Sequence, residues 1–245
     1  MRILVTRPNP KGKKLVQRIR LIGKIAFHAP LIEIIPGNEL DLLTSKLANL
    51  TDGDRIFFLS PHAVLYANSA LHLTGQKWPN TLFYYGIGHS TASVFQQLTN
   101  LPIYLSHEGE TSENLLKLPG LQAPLGKKSL LLRGNGGREL LATTLKSRGS
   151  HIDYCECYQR KPIRYDRKTF QLQWKQENIS TIIVTSCDML HILCNLIKDA
   201  DKPWLFSRHL IVVSDRLGST AYQLGWKSIK IAKSANNDAL IQALM

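Results

Sequence analysis

The run Arg133-Gly-Asn-Gly-Gly-Arg-Glu139 is the densest group of chemically suggestive residues in the chain. Glycines let the backbone approach a ligand closely, and amides freed at a helix start point at it, so the run suits a carboxylate or phosphate. Gly134 and Asn135 are its candidate binding residues, and a tight turn holding no ligand is the competing reading. It is not a dinucleotide fingerprint, because the second and third glycines are adjacent and no suitable acidic residue follows the next strand. A second group is hydroxylic. Ser60, Thr91, Ser186 and the pair Ser219-Thr220 are expected where a strand gives way to a helix. Helix capping alone accounts for each of them singly. Together they would line the same strand ends in two repeats, where α/β proteins bind ligands.

The familiar catalytic constellations are missing from the sequence. It has no Gly-x-Ser-x-Gly elbow, no Walker A motif and no His-Glu-x-x-His. The eight histidines are dispersed, and His28, His62, His89 and His191 have no partner at a metal-ligand spacing. No acidic pair suits general acid/base work. Cys155-Glu156-Cys157 is not a zinc spacing, and its two thiols are expected to point apart. Cys187 and Cys194 read as small hydrophobes. The expectation is therefore no metal and no disulfide framework.

The elements that must position these residues repeat one pattern four times: apolar strand, turn, amphipathic helix, helix stop, second strand. The copies start at Ile3-Leu-Val5, Phe83-Tyr-Tyr85, Leu130-Leu-Leu132 and Leu210-Ile-Val-Val213. In the first, Leu15, Val16, Ile19 and Ile22 share one helical face, Gly23 ends the helix, and Ile25-Ala-Phe27 follows. The second is expected to close with a strand at Ile103-Tyr-Leu105. Strands and helices alternating in this way imply parallel sheets with helices on both faces. Ser60 and Thr91 are 31 residues apart and Ser186 and Thr220 are 34 apart, and Ser-Thr-Ala occurs at 90–92 and again at 219–221. That near-match implies an internal duplication.

The order of the copies predicts two parallel-sheet, three-layer α/β lobes. One is discontinuous, residues 1–34 with 164–245, and the other, residues 38–158, is inserted into it. A two-stranded β linker, residues 35–37 and 159–163, would join them and leave a hinged cleft between them.

Composition narrows the function. The chain has 245 residues, 44% hydrophobic and 20% charged, the balance of a globular protein. No apolar run approaches the roughly 18 to 20 residues that span a bilayer. Met1-Arg-Ile-Leu-Val-Thr6 reads directly into a strand with no signal region, so a cytoplasmic location is expected. The formal net charge of +13 favours an anionic partner. A nucleic-acid partner is not expected, because no recognition-helix motif, RNP-like strand or basic helical stripe accompanies the charge. A membrane partner is not expected either. A polyanionic small molecule remains, taken either by an enzyme or by a non-enzymatic two-lobed anion-binding module.

Several segments in order resemble the uroporphyrinogen-III synthase family, and its enteric bacterial members most: Ile3-Leu-Val-Thr-Arg-Pro8, Phe58-Leu-Ser-Pro-His-Ala-Val64, Ile87-Gly-His-Ser-Thr-Ala92, Thr111-Ser-Glu-Asn-Leu-Leu116, Leu132-Arg-Gly-Asn-Gly-Gly-Arg-Glu139, Cys157-Tyr-Gln-Arg160 and Val213-Ser-Asp-Arg216. The resemblance implies two lobes on a two-stranded ladder and a monomeric, cofactor-free lyase. Its substrate would be hydroxymethylbilane, handed over by hydroxymethylbilane synthase and cyclised to uroporphyrinogen III in heme and siroheme synthesis. It also implies that Tyr158 is the weak general acid for the departing hydroxyl. Ser60, Thr91, Gly134, Asn135, Ser186, Ser219 and Thr220 would hold substrate carboxylates, with Arg7 nearby; His62 and Asp188 take no role.

Overall fold

A computed structural model describes residues 1–124 and 126–245. From the N-terminus the chain forms β1 (Arg2–Val5), α1 (Lys11–Leu21), β2 (Ile25–His28), β3 (Ile32–Pro36), α2 (Leu43–Ala48), β4 (Arg55–Phe58), α3 (Pro61–Leu73), β5 (Phe83–Gly86) and α4 (His89–Thr99). Next come α5 (Ser112–Leu115), β6 (Lys128–Gly134), α6 (Leu140–Ser147), β7 (His151–Pro162), α7 (Arg167–Gln176), β8 (Thr181–Ile183) and α8 (Cys187–Leu196). The chain ends with α9 (Lys202–Phe206), β9 (His209–Val212), α10 (Asp215–Leu224), β10 (Ile229–Ile231) and α11 (Asn237–Gln242). It divides into two units, Met1–Ile34 with Lys161–Met245, and Ile35–Arg160.

The discontinuous unit holds a sheet in the order β10-β9-β8-β1-β2. Its neighbours are all parallel, with Ile3 opposite both Ala26 and Thr181. The inner strands β1, β8 and β9 are almost entirely buried because both faces are covered. Leu4, Ile182, Leu210 and Val212 point into one core with Phe170, Trp174 and Leu190 of α7 and α8. Their neighbours Ile3, Val5, Ile183 and Ile211 point into the opposite core with Leu15 and Ile19 of α1 and Leu240 of α11. The two-residue period of a strand is what sends adjacent side chains to different cores.

The continuous unit repeats the plan in the order β3-β7-β6-β4-β5. Phe57, Tyr85 and Leu131 meet Leu115, Leu141 and Leu145 on one face. On the other, Phe58 packs 4.8 Å from Phe95 of α4 and 5.3 Å from Trp78 by ring centroids. β4, β5, β6 and the first half of β7 are parallel. β3 forms the edge beside β7 and runs against it: Gly37 N–H donates to Cys157 O at 3.0 Å and Ile163 N–H to Leu31 O at 3.0 Å. β3 and β7 thus include residues 35–36 and 159–162.

Two expectations are corrected here. Ile103–Leu105 is no strand; it contributes one parallel bridge, Tyr85 to Tyr104. Pro102 has no N–H to extend the ladder, and only Tyr104 bonds to both Tyr84 and Gly86. The thiols of Cys155 and Cys157 converge rather than diverge, with Sγ atoms 3.8 Å apart and both residues fully buried. Residues two apart on a strand share a face, so adjacency is the outcome that strand geometry requires. Among the described residues no helix is long and apolar enough to cross a membrane, and no group of three or more His, Cys, Asp or Glu could hold a metal ion.

Candidate active site

The β6–β7 ladder carries an irregularity that fixes Tyr158. Pairing is regular from Lys128↔His151 to Arg133↔Glu156, then skips Cys157, so that Gly134 faces Tyr158. Such a bulge re-aims the side chains that follow it. Gly134 is the residue this permits: a Cβ there would lie 2.5 Å from Tyr158 Cζ. The Tyr158 ring is buried, 5.5 Å from the His62 ring and 6.4 Å from a near-parallel Tyr66. Both neighbours lie on α3, the helix that Ser60 caps.

Hydrogen bonding at the phenol has a direction. Ser60 Oγ accepts from Ala63 N–H at 3.2 Å and donates to Tyr158 Oη at 3.1 Å. Arg160 Nη2 reaches the same oxygen at 3.5 Å. A tyrosine hydroxyl has one hydrogen of its own, and these partners address its lone pairs, so that hydrogen is left to point elsewhere. Asn135 holds the strand beyond the bulge. Its N–H donates to Tyr158 O at 3.1 Å, its Oδ1 accepts from Arg160 N–H at 2.7 Å, and its Nδ2 donates to Arg160 O at 3.3 Å.

The rest of the glycine-rich run is occupied by its own charges. Arg133 pairs with Glu139 at 2.7 Å, and Glu139 also accepts from Tyr154 Oη at 2.7 Å. The Arg133 hydrogen bond, followed by that of Tyr154, holds the Glu139 carboxyl below its ordinary range. Burial first, and Glu139 second, push the Tyr154 phenol up. α6 begins only at Leu140, without a side-chain cap. The start of α4 is filled in a similar way. Gly88 leaves room for Glu110, whose Oε1 accepts from His89 N–H at 2.8 Å, while Thr91 is buried within the helix.

In the discontinuous unit, Ser186 caps α8 by accepting from Met189 N–H at 3.3 Å. Ser214 caps α10 in the same manner, accepting from Leu217 N–H at 3.3 Å. Ser219 and Thr220, expected at that turn, lie inside α10, and Thr220 Oγ1 donates back to Arg216 O at 3.0 Å. The Ser-Thr-Ala repeat is therefore out of structural register: it begins two residues after the cap of α4, but five residues after the cap of α10. Arg7 follows β1, on the strand next to the one that leads to Ser186. It is 5% exposed and donates to Asn237 Oδ1 at 2.7 Å, with no carboxylate partner among the described residues. Burial lowers its pKa from the ordinary value.

Residues 13–242 match the family model described as Uroporphyrinogen-III synthase HemD. The chain belongs to the uroporphyrinogen-III synthase family. It is 46% identical to the uroporphyrinogen-III synthase of Escherichia coli over 245 residues, 100% of both chains. The Proteus mirabilis uroporphyrinogen-III synthase is 55% identical over 193 residues, 79% of this chain and 97% of that one. In fold the chain is similar to a mutant uroporphyrinogen III synthase from Thermus thermophilus, with TM-score 0.65, 16% identity and coverage of 100% and 99%. It is also similar to the Helicobacter pylori enzyme, with TM-score 0.60, 17% identity and coverage of 100% and 98%. These findings lend no support to a non-enzymatic anion-binding module.

Within this uroporphyrinogen-III synthase fold, Tyr158, Ser60, Gly134 and Asn135 come together, and the predicted hydroxyl pair on α10 does not reach its turn. Two further residues, Ser214 and Arg160, join these groups in the structure. Ser214 follows β9 as Ser60 follows β4 and Ser186 follows β8, and that position after a strand was the available signal. Arg160 lies two residues beyond Tyr158, on the same strand. Capping by Ser186 is directly measurable. Ser186→Ala is expected to lower the unfolding free energy by about 1 kcal/mol, with Ser186→Asp retaining it, in urea denaturation.

Proposed function

We propose that this chain cyclises hydroxymethylbilane to uroporphyrinogen III with inversion of ring D and loss of water, and that Tyr158 gives its proton to the departing hydroxyl. The observation that carries the assignment of Tyr158 is the Ser60–Tyr158 hydrogen bond. Ser60 has one lone pair engaged by Ala63 and its proton directed at Tyr158, so in this arrangement the phenol keeps its own proton to donate outward. Protonated, the hydroxyl departs as water and leaves an azafulvene. Ring D attacks through its substituted carbon, and the spiro intermediate rearranges to the III isomer. Because hydroxymethylbilane cyclises unaided to the wrong isomer, the catalytic task is to hold one folded geometry and to stabilise charge.

We assign contacts with the substrate carboxylates to the Ser186 and Ser214 caps and to Arg7, whose buried charge lacks a carboxylate partner among the described residues. Gly134 and Asn135 serve Tyr158 instead. Thr91 acts through the helix it belongs to, and Ser219 and Thr220 are left out of the site. The net charge of +13 suits a polyanionic substrate. The same proposal places a monomer in the cytoplasm, supplied by hydroxymethylbilane synthase. The substrate's tendency to close spontaneously favours a short path between the two enzymes.

The test is to generate hydroxymethylbilane in situ with hydroxymethylbilane synthase, add the protein and separate the product isomers. The III isomer is expected in excess over I. A product that remains entirely the I isomer at micromolar protein overturns the assignment.

A further inference from the structure

We propose that Arg160 is a positioning residue for this proton transfer, its guanidinium stabilising the negative charge that gathers on Tyr158 Oη as the phenolic proton leaves. The inference rests on the reading of Tyr158 as the donor. When the Tyr158 O–H bond breaks, its electron pair stays on Oη and the proton goes to the departing hydroxyl, which leaves as water. The phenolate regains a proton from the tetrapyrrole as the ring closes. Between those events an anion sits in a buried setting against Gly134, His62 and Tyr66. Tyr158 is buried while the Arg160 side chain is exposed, so fixed donors replace part of the hydration the phenolate oxygen would have in water.

Two donors are in place on that oxygen, Ser60 Oγ at 3.1 Å and Arg160 Nη2 at 3.5 Å. Ser60 supplies a dipole and Arg160 a full charge. At 3.5 Å the guanidinium contact is long for a neutral phenol. Charge on the oxygen strengthens it, so the interaction favours the reacting state over the resting one.

Placement and availability both single out Arg160. Tyr158 and Arg160 are two apart on β7 and so share a face. Asn135 grips the Arg160 backbone from both sides, through Oδ1 at 2.7 Å and Nδ2 at 3.3 Å. Among the described residues no carboxylate neutralises Arg160, whereas Arg133 is paired with Glu139 and Arg138 with Glu113. Its charge is therefore available to the phenol.

The test is a double-mutant cycle with Tyr158→Phe, read by initial rates over a range of hydroxymethylbilane concentrations. Arg160→Gln keeps a polar side chain and removes the charge. It is expected to lower kcat by about tenfold with KM nearly unchanged, and Arg160→Lys to restore part of the loss. In the Tyr158→Phe background, Arg160→Gln should cause no further loss, because no phenolate forms. A rise in KM with kcat preserved would make Arg160 a ligand of a substrate carboxylate and overturn the inference. An equal loss from Arg160→Gln with Tyr158 intact and with Tyr158→Phe in place would overturn it as well. Failure of the underlying reading has a separate signature, full turnover by Tyr158→Phe alone. Circular dichroism and thermal melts of each variant separate lost chemistry from lost fold.

Discussion

Tyr158→Phe is expected to lower turnover by on the order of 100-fold or more while leaving the protein folded. The substitution removes one oxygen and keeps the ring that packs beside Gly134, His62 and Tyr66. Ser60 keeps its bond from Ala63 N–H and loses only its outward acceptor. The stability cost of such a change is about 1 kcal/mol, too small to unfold a domain of this size. The chemical cost is larger, because a poor leaving group must then depart without a proton. Isomer analysis should show the spontaneous I product overtaking III as the enzymatic rate falls. Unchanged turnover would remove the acid role from Tyr158.

Gly134→Ala is expected to damage stability and turnover together. The added methyl would stand 2.5 Å from Cζ, 2.6 Å from Cε2 and 3.0 Å from Oη of Tyr158. Contacts that short force the ring outward, and the 3.1 Å bond from Ser60 goes with it. Overpacking of this kind costs about 1 to 3 kcal/mol. A misplacement of about 1 Å at a reacting group costs roughly 100-fold in rate. Gly136→Ala is the internal control. Gly136 has φ of +81°, and a methyl added there would meet nothing within 4 Å, so only backbone strain of about 1 to 2 kcal/mol is added. A melting curve and a kcat for each variant check both statements: Gly134→Ala should lose rate, and Gly136→Ala should not.

The parts of the fold that were legible in the sequence are those written in hydrophobic period and helix punctuation. Leu15, Val16 and Ile19 face one core, and the runs at Ile3–Val5 and Leu130–Leu132 are buried strands as their composition requires. Tyr158, Ser60, Gly134 and Asn135 stand next to one another in the fold, a grouping that their separate motifs do not announce. Glycine next to asparagine reads as an anion cradle when only backbone freedom is considered. In the structure the same pair also seats a tyrosine ring and clamps Arg160, an arrangement that depends on a bulge no local pattern announces. The Ser-Thr-Ala repeat misled for a related reason. Identical triplets carry no information about their distance from a cap, and a helix start is set by Gly88 in one case and Ser214 in the other. Arg160 carried no distinguishing signal, since one arginine among many on a basic chain stands out only once its neighbours are known.

The placement of β1 at the interior of its sheet bears on how this polypeptide is made. Arg2 bonds to Ser180, 178 positions away, and β1 pairs with β8. On the ribosome, at roughly 5 to 20 residues per second, the first strand waits about 10 to 40 seconds for that neighbour to emerge. Ile35–Arg160, by contrast, is complete before β8 is synthesised. The inserted half can therefore mature first during translation, while the nascent N-terminal strand–helix–strand segment keeps apolar surface uncovered until β8 emerges.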